Sequence, residues 1–309
     1  MAGSAETGNA GPIIIVGTGR CGSTLLHRLL ARHAELGWLS TFNEVLPSQT
    51  WLSLFSRLYR LPLSERIKAS KGFPKPFEAY RFWEHYLPGF SRRDRPQTPD
   101  DVLEAGIDPV RRATARVLRF QGRRRLLVKV TGWSRIAYFD RIYPDALFLS
   151  LRRDPRSVVS SWINAGWLDV TSPPGSEGWQ WGKVSPELYE LWRDLGGDPP
   201  LSAALKVRLD LDDIARNMAM FPGRCHEFWY EDLIRSPERT LKEVCEFAGL
   251  EWTPVFQRVI EETDFHDPIG KWKKHLSEEQ GERVIEFLRR ADALDGADAH
   301  LVSSTTRAD

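Results

Sequence analysis

The stretch PIIIVGTGRCGSTLLHRLL, Pro12 to Leu30, constrains the fold more than any other part of the chain. Four β-branched apolar residues, Ile13 to Val16, run straight into Gly17, Gly19 and Gly22, and an apolar helical pattern follows at once. Strand, glycine turn and helix in that order are the opening unit of a parallel α/β sheet. Gly17 and Gly22 have the spacing of the phosphate loop G-x-x-x-x-G-K-[ST], and Thr24 holds its hydroxyl position, but Ser23 stands where the lysine belongs. Loop N–H groups and the positive helix end hold an anion without that lysine, although not the tail of a triphosphate. Gly17, Gly19 and Gly22 let the backbone approach the anion, Ser23 and Thr24 add hydroxyl donors, and Arg20 adds a planar cation that reaches two oxygens.

Further along, Leu126–Val130 and Ala146–Leu151 read as buried parallel strands, with a weaker one around Glu227–Tyr230. Helical patterns cover Thr24–His33, Arg135–Tyr143, Arg156–Ala165 and Ser202–Phe221. After the last strand, Ser236 is placed to cap a helix that Pro237 starts and Gly249 ends. The expected architecture is a single α/β domain, residues 12–294, with a central parallel sheet flanked by helices and a P-loop-like first turn. Residues 1–11 and 295–309 read as disordered tails. Two stretches, 51–99 and 166–200, interrupt the rhythm and read as pocket-forming insertions.

Composition narrows the function. Lys and Arg number 43 against 42 Asp and Glu, which leaves no overall basic field for nucleic acid, so any anion site is local. Three scattered cysteines make neither a disulfide framework nor a zinc site, which suits a reducing, cytoplasmic setting. The polar start MAGSAETGNAG is not a signal peptide, and no apolar run is long enough for a transmembrane segment. A homodimer stays open.

A second strand-to-helix turn, LFLSLRRDPRSVVSSW, carries Arg152 and Arg153 at the strand end, Asp154 as helix cap, and Ser160 and Ser161 on the helix. A strand-end cation and a hydroxyl on the next helix can clamp a second phosphate. No acidic residue follows VKV or LFLSL, where Thr131 and Arg152 stand, so no Mg²⁺-binding strand end is indicated and no metal is expected.

Together these segments resemble sulfotransferases that use 3′-phosphoadenosine 5′-phosphosulfate (PAPS). Arg20, Cys21, Gly22, Ser23 and Thr24 fit the family's 5′-phosphosulfate loop [KR]-x-G-[ST]-[ST], and Arg153 with Ser161 fits its 3′-phosphate motif. WYEDLIRSPERTLKEVCEFAGL resembles the family's Y-E-D-L strand end with its proline-started helix, and IGKWKKHL resembles part of the cofactor-covering loop. The resemblance runs from about residue 12 to 276. It implies transfer of a sulfuryl group from PAPS to a hydroxyl or amine, with adenosine 3′,5′-bisphosphate as the product. Gly19, Arg20, Cys21, Gly22, Ser23, Thr24, Arg153, Ser161, Trp272 and Lys273 would bind the donor, Trp272 as an adenine face and Lys273 on a phosphate.

Arg20 and Lys129 would stabilise charge on the transferring group and the leaving phosphate. The general base is less direct. Relatives that keep a histidine two residues after the strand-end lysine are not matched, because Thr131 stands there. Other relatives use a glutamate after the first helix and second strand, and Glu44 occupies the comparable stretch, with His266 and His275 in reserve. The family's Arg-Lys-Gly triplet is replaced by Phe265, His266 and Asp267, which shifts weight onto Arg153 and Ser161.

Five tryptophans, Trp162, Trp167, Trp179, Trp181 and Trp192, suit the wall of a small-molecule, glycolipid or carbohydrate acceptor pocket, and Arg92, Arg93 and Arg95 suit an acidic acceptor. Two other readings remain: a kinase or nucleotide hydrolase with a degenerate loop, and a nucleotide-binding module without transfer activity.

Overall fold

A computed structural model of the chain describes residues 11–167, 173–265 and 270–294. Five strands, β1 (Ile13–Val16), β2 (Leu36–Trp38), β3 (Arg125–Lys129), β4 (Leu147–Arg152) and β5 (Cys225–Trp229), form one sheet in the order β2-β3-β1-β4-β5. Every pairing is parallel, with Ile15 of β1 between Lys129 and Leu149. The central strand is apolar at each position because both of its faces are covered. Ile13 and Ile15 enter one core layer, with Leu26, Leu30 and Leu241, while Ile14 and Val16 enter the other, with Phe82, Trp83 and Phe139.

The expected strands are found within two residues of their positions, and β2, only three residues long, was not anticipated. The helices Ser23–Leu30, Ile136–Ile142, Pro155–Asn164 and Pro199–Ala219 answer the expected patterns. The helix Pro237–Ala248 ends at Gly249 in the left-handed conformation, φ 61°, but Ser236 makes no side-chain cap bond. An unanticipated helix, Glu104–Gln121, contains Pro109 in its second turn, where the missing N–H forfeits one bond of the helical ladder. The 51–99 insertion is ordered as a 3-10 segment, Thr50–Arg60, and two short helices, Glu65–Ala69 and Tyr80–Tyr86. Of the 166–200 insertion, residues 173–200 include the helix Pro186–Asp194. The expected tails lie outside the described residues, apart from Gly11.

The edge strand β2 is completed by a side chain. Gln121, buried at the end of its helix, accepts from the Trp38 N–H at 3.1 Å and donates to the Trp38 carbonyl at 2.6 Å. Its amide pairs with this edge as a further strand would, and Arg60 donates to the Leu36 carbonyl beside it. Gln121→Ala should therefore leave two buried backbone groups unsatisfied and cost about 2–4 kcal/mol. Urea denaturation would check this, and a loss below about 0.5 kcal/mol would show that the pair contributes nothing net.

Candidate active site

The C-terminal ends of β1, β3 and β4 meet at the first loop. Gly17 is tightly enclosed there, since a Cβ would lie 2.7 Å from both the Cys21 Sγ and the Leu151 carbonyl oxygen. Gly22, with φ 95°, begins the helix Ser23–Leu30, and a Cβ on it would overlap the Tyr230 ring. Among the described residues no side chain caps this helix; Leu25 returns its N–H to the Gly22 carbonyl at 2.9 Å, and the earlier N–H groups of the first turn are left for a ligand. Thr24 is exposed there, whereas Ser23 and Cys21 are buried. Cys21, expected among the donor contacts, has its thiol buried and donates its N–H to the Thr18 carbonyl at 3.3 Å.

The second turn folds differently. Asp154 caps the helix Pro155–Asn164 by accepting from the Arg156 N–H at 2.9 Å, and its carboxylate also holds the Arg156 guanidinium. The cap carboxylate thus occupies the Arg156 N–H that an anion would otherwise meet, and the turn brings charged and hydroxyl side chains instead. They converge on the first loop: Arg153 donates to the Arg20 carbonyl at 3.0 Å, and the Arg20 Nε donates to the Ser161 Oγ at 2.9 Å. Arg153 lies against the Tyr230 ring, 4.7 Å from its centroid, and Arg20 against Trp167 at 5.4 Å. Arg20, Arg153 and Ser161, 141 residues apart at the extremes, thus share one cleft beside Gly22.

Lys129 closes the cleft on its other side. Only 7% exposed, its amine donates to Thr24 Oγ1 at 3.0 Å and pairs with Glu78 at 2.8 Å. Thr131, in the position where related enzymes carry histidine, has its hydroxyl 3.4 Å from the same Glu78 oxygen. Glu78 comes from the 51–99 insertion and was not singled out in the sequence. Its only sequence signal is its place just before an aromatic helix. Glu44, expected as base, instead accepts from the Arg81 N–H at 2.9 Å, where the helix Tyr80–Tyr86 begins without a cap of its own. It steadies the helix that follows Glu78.

The remaining expectations divide. Trp272 is buried in a core cluster between Gly281 and the Arg156 guanidinium, 5.0 Å away, which leaves little of its ring for adenine. Lys273 pairs with Glu278 at 2.7 Å. His266 lies outside the described residues. Arg92 pairs with Asp94, and Arg95 is bidentate on Asp101, so two of the three arginines of the basic run are already neutralised. Trp162 packs edge-on against Trp167 and Trp181 and donates to the Gly19 carbonyl at 3.0 Å, so it braces the loop from a core position. Trp192 is core as well.

The family model described as "Sulfotransferase family" matches residues 12–254. The chain belongs to that family. Among characterised proteins it is 26% identical to omega-hydroxy-beta-dihydromenaquinone-9 sulfotransferase Stf3 of Mycobacterium bovis and, equally, of Mycobacterium tuberculosis; the match covers 77% of this chain and 63% of those proteins. The chain thus spans under two thirds of the length of these relatives. Among solved structures, sulfotransferase STF9 from Mycobacterium avium shares the fold, with a TM-score of 0.53 at 17% identity over 94% of this chain and 77% of that one.

Burial raises the Cys21 thiol pKa, against the lowering effect of hydrogen bonds from Ser23 and the nearby charges of Lys129 and Arg153. Iodoacetamide at about pH 8 should therefore spare Cys21 in the folded chain and label it after denaturation. Peptide mapping that finds native Cys21 labelled as fast as a free thiol would show the loop to be open.

Proposed function

We propose that the chain is a sulfotransferase that moves a sulfuryl group from PAPS to a hydroxyl or amine of a small-molecule, glycolipid or carbohydrate acceptor, with Glu78 as the proton acceptor. The observation that carries this reading is the run Thr24–Lys129–Glu78, which joins the uncapped loop to a carboxylate within two contacts. The first loop suits the 5′-phosphosulfate, since its helix starts without a capping side chain and its Gly17 and Gly22 admit no Cβ. Arg153 and Ser161, both tied to Arg20, suit the separate 3′-phosphate.

PAPS supplies an activated sulfuryl group on a phosphate leaving group. The acceptor oxygen or nitrogen forms a bond to sulfur as the sulfur–oxygen bond to the phosphate breaks, and the acceptor's proton passes to the Glu78 carboxylate. Lys129 and Arg20 meet the charge that gathers on the leaving oxygen, where preorganised donors contribute most. Glu78 and Lys129 are in contact, so removal of the acceptor's proton and neutralisation of the leaving group take place side by side. Glu44 acts as a positioning residue through the helix Tyr80–Tyr86. The aromatic cluster of Trp162, Trp167 and Trp181 supports an acceptor with apolar surface.

Two measurements test the reading. Adenosine 3′,5′-bisphosphate at about a hundred times its dissociation constant should stabilise the chain by roughly 2.7 kcal/mol with EDTA present. Stabilisation by Mg-ATP alone would favour a kinase instead. With labelled PAPS, Glu78→Gln should lower kcat by about a hundredfold or more while bisphosphate affinity holds. Arg20→Ala should cost at least about tenfold, as expected for a charge-assisted hydrogen bond of roughly 1.5–3 kcal/mol. Full activity in Glu78→Gln combined with its loss in Glu44→Gln would return the proton to Glu44.

A further inference from the structure

The 3-10 segment Thr50–Arg60 presents its apolar side to water. With three residues per turn, positions 50, 53, 56 and 59 share a face, and Thr50, Ser53, Ser56 and Tyr59 are all buried. The opposite side carries Trp51, Leu54, Phe55 and Leu58, all exposed, with Trp51 at 49%. Leu61 and Ile67 extend the patch, and Val45 and Leu46 precede it. Among the described residues, nine of the fourteen large apolar side chains that stand exposed fall between Val45 and Phe77. Their concentration in one segment is more than scattered surface apolarity explains.

Charge accompanies them. Residues 50–75 contain Arg57, Arg60, Arg66, Lys68, Lys71 and Lys75 against a single acid, Glu65, in a chain whose net charge is only +1. Glu65 pairs with Lys68 at 3.3 Å, which leaves five cations uncompensated by any acid of the segment. Arg57, Arg66 and Lys71 are exposed. Tryptophan, phenylalanine and leucine flanked by exposed lysine and arginine are the composition of an element that lies in a lipid interface.

We propose that this face docks the protein on an anionic lipid surface, with Trp51, Leu54, Phe55 and Leu58 entering the headgroup boundary and Arg57, Arg66 and Lys71 meeting lipid phosphates. In the chain, the exposed residues flank the proposed base and its positioning glutamate. Val45 follows Glu44, and the exposed Phe77 precedes Glu78, so a surface docked here brings its own lipid hydroxyls to Glu78 and Lys129. In this respect the inference rests on the functional reading above and narrows its acceptor to a membrane-resident amphiphile. A second copy of the chain is the poorer occupant, because a two-fold contact through this face sets its cations against themselves.

The test is flotation of the full chain with phosphatidylcholine vesicles, with and without phosphatidylglycerol. Binding to the anionic vesicles and its release by salt are expected. The triple variant Arg57→Glu, Arg66→Glu, Lys71→Glu should weaken the partition coefficient on the order of a hundredfold. Leu54→Ser, Phe55→Ser, Leu58→Ser should do so without changing thermal stabilisation by adenosine 3′,5′-bisphosphate. Absence of wild-type binding, or binding unchanged in both variants, would overturn the proposal. So would a dimer in sedimentation velocity that both variants dissociate, which would assign the face to a second copy. The bisphosphate readout is independent of vesicles, so failure of the donor site and failure of the docking face give different results.

Discussion

An ammonium group with 7% exposure has to be met by a negative charge, and Lys129 is met by Glu78 at 2.8 Å. An unpaired charge at such depth would cost about 3–5 kcal/mol, enough to remove much of a domain's stability. The lysine lies at the end of β3, between β2 and the central strand, while the glutamate lies in an insertion some fifty residues earlier in the chain. Their pairing therefore draws the insertion over the carboxyl edge of the strands. Tyr80 reinforces the attachment by donating to the Thr131 carbonyl at 3.2 Å. The same contact that neutralises a buried charge thus builds one wall of the cleft, so folding and site assembly are not separable here.

The two turns that form the other wall divide their labour according to how each helix begins. The first helix has glycine at its start and no capping side chain, so the N–H groups ahead of Leu25 are available to a ligand. The second begins with Asp154, which consumes the equivalent group internally. What the second turn contributes is Arg153 and Ser161, and both reach the main or side chain of Arg20. Arg20 itself has φ 70°, an uncommon conformation for a residue with a Cβ. That backbone state accompanies a carbonyl that accepts from Arg153 and a guanidinium that donates to Ser161. The strain at one loop residue is offset by bonds from a turn far away in the sequence.

The central sheet was readable because fully buried parallel strands leave continuous apolar runs, as in Ile13–Val16 and Leu147–Leu151. β2 escaped because three residues carry no period, and the helix Glu104–Gln121 escaped because Pro109 and a high charge content mask its apolar stripe. For the site, glycine spacing and the arginine–serine interval pointed to groups that the structure brings together, with Arg153 and Ser161 both bonded to Arg20. Glu78 was invisible because its place beside Lys129 comes from a contact with β3 that no local pattern encodes. Glu44, expected as base, has its carboxylate bonded to the Arg81 N–H, a contact that its sequence surroundings do not announce. Trp272 shows the converse difficulty, since an aromatic residue in a cofactor-loop motif and one that fills a core look identical in sequence.

The inverted polarity of Thr50–Arg60 has its cause in the same docking. Asn43 accepts from the Ser40 N–H at 2.9 Å and donates to Ser53 at 3.2 Å, so a buried polar network ties the segment to the helix that bears Glu44. Tyr59 packs edge-on against Trp38 of β2, with ring centroids 5.4 Å apart, and fixes the far end. With the inner face committed to hydroxyls, the helical period leaves the leucines and aromatics outside. Full burial of each such side chain would return about 1.5–3 kcal/mol, and rotating the segment to gain it would bury cations and strand Asn43 without partners. The fold therefore holds an apolar, basic surface beside the site by the same hydrogen bonds that order the site's own wall.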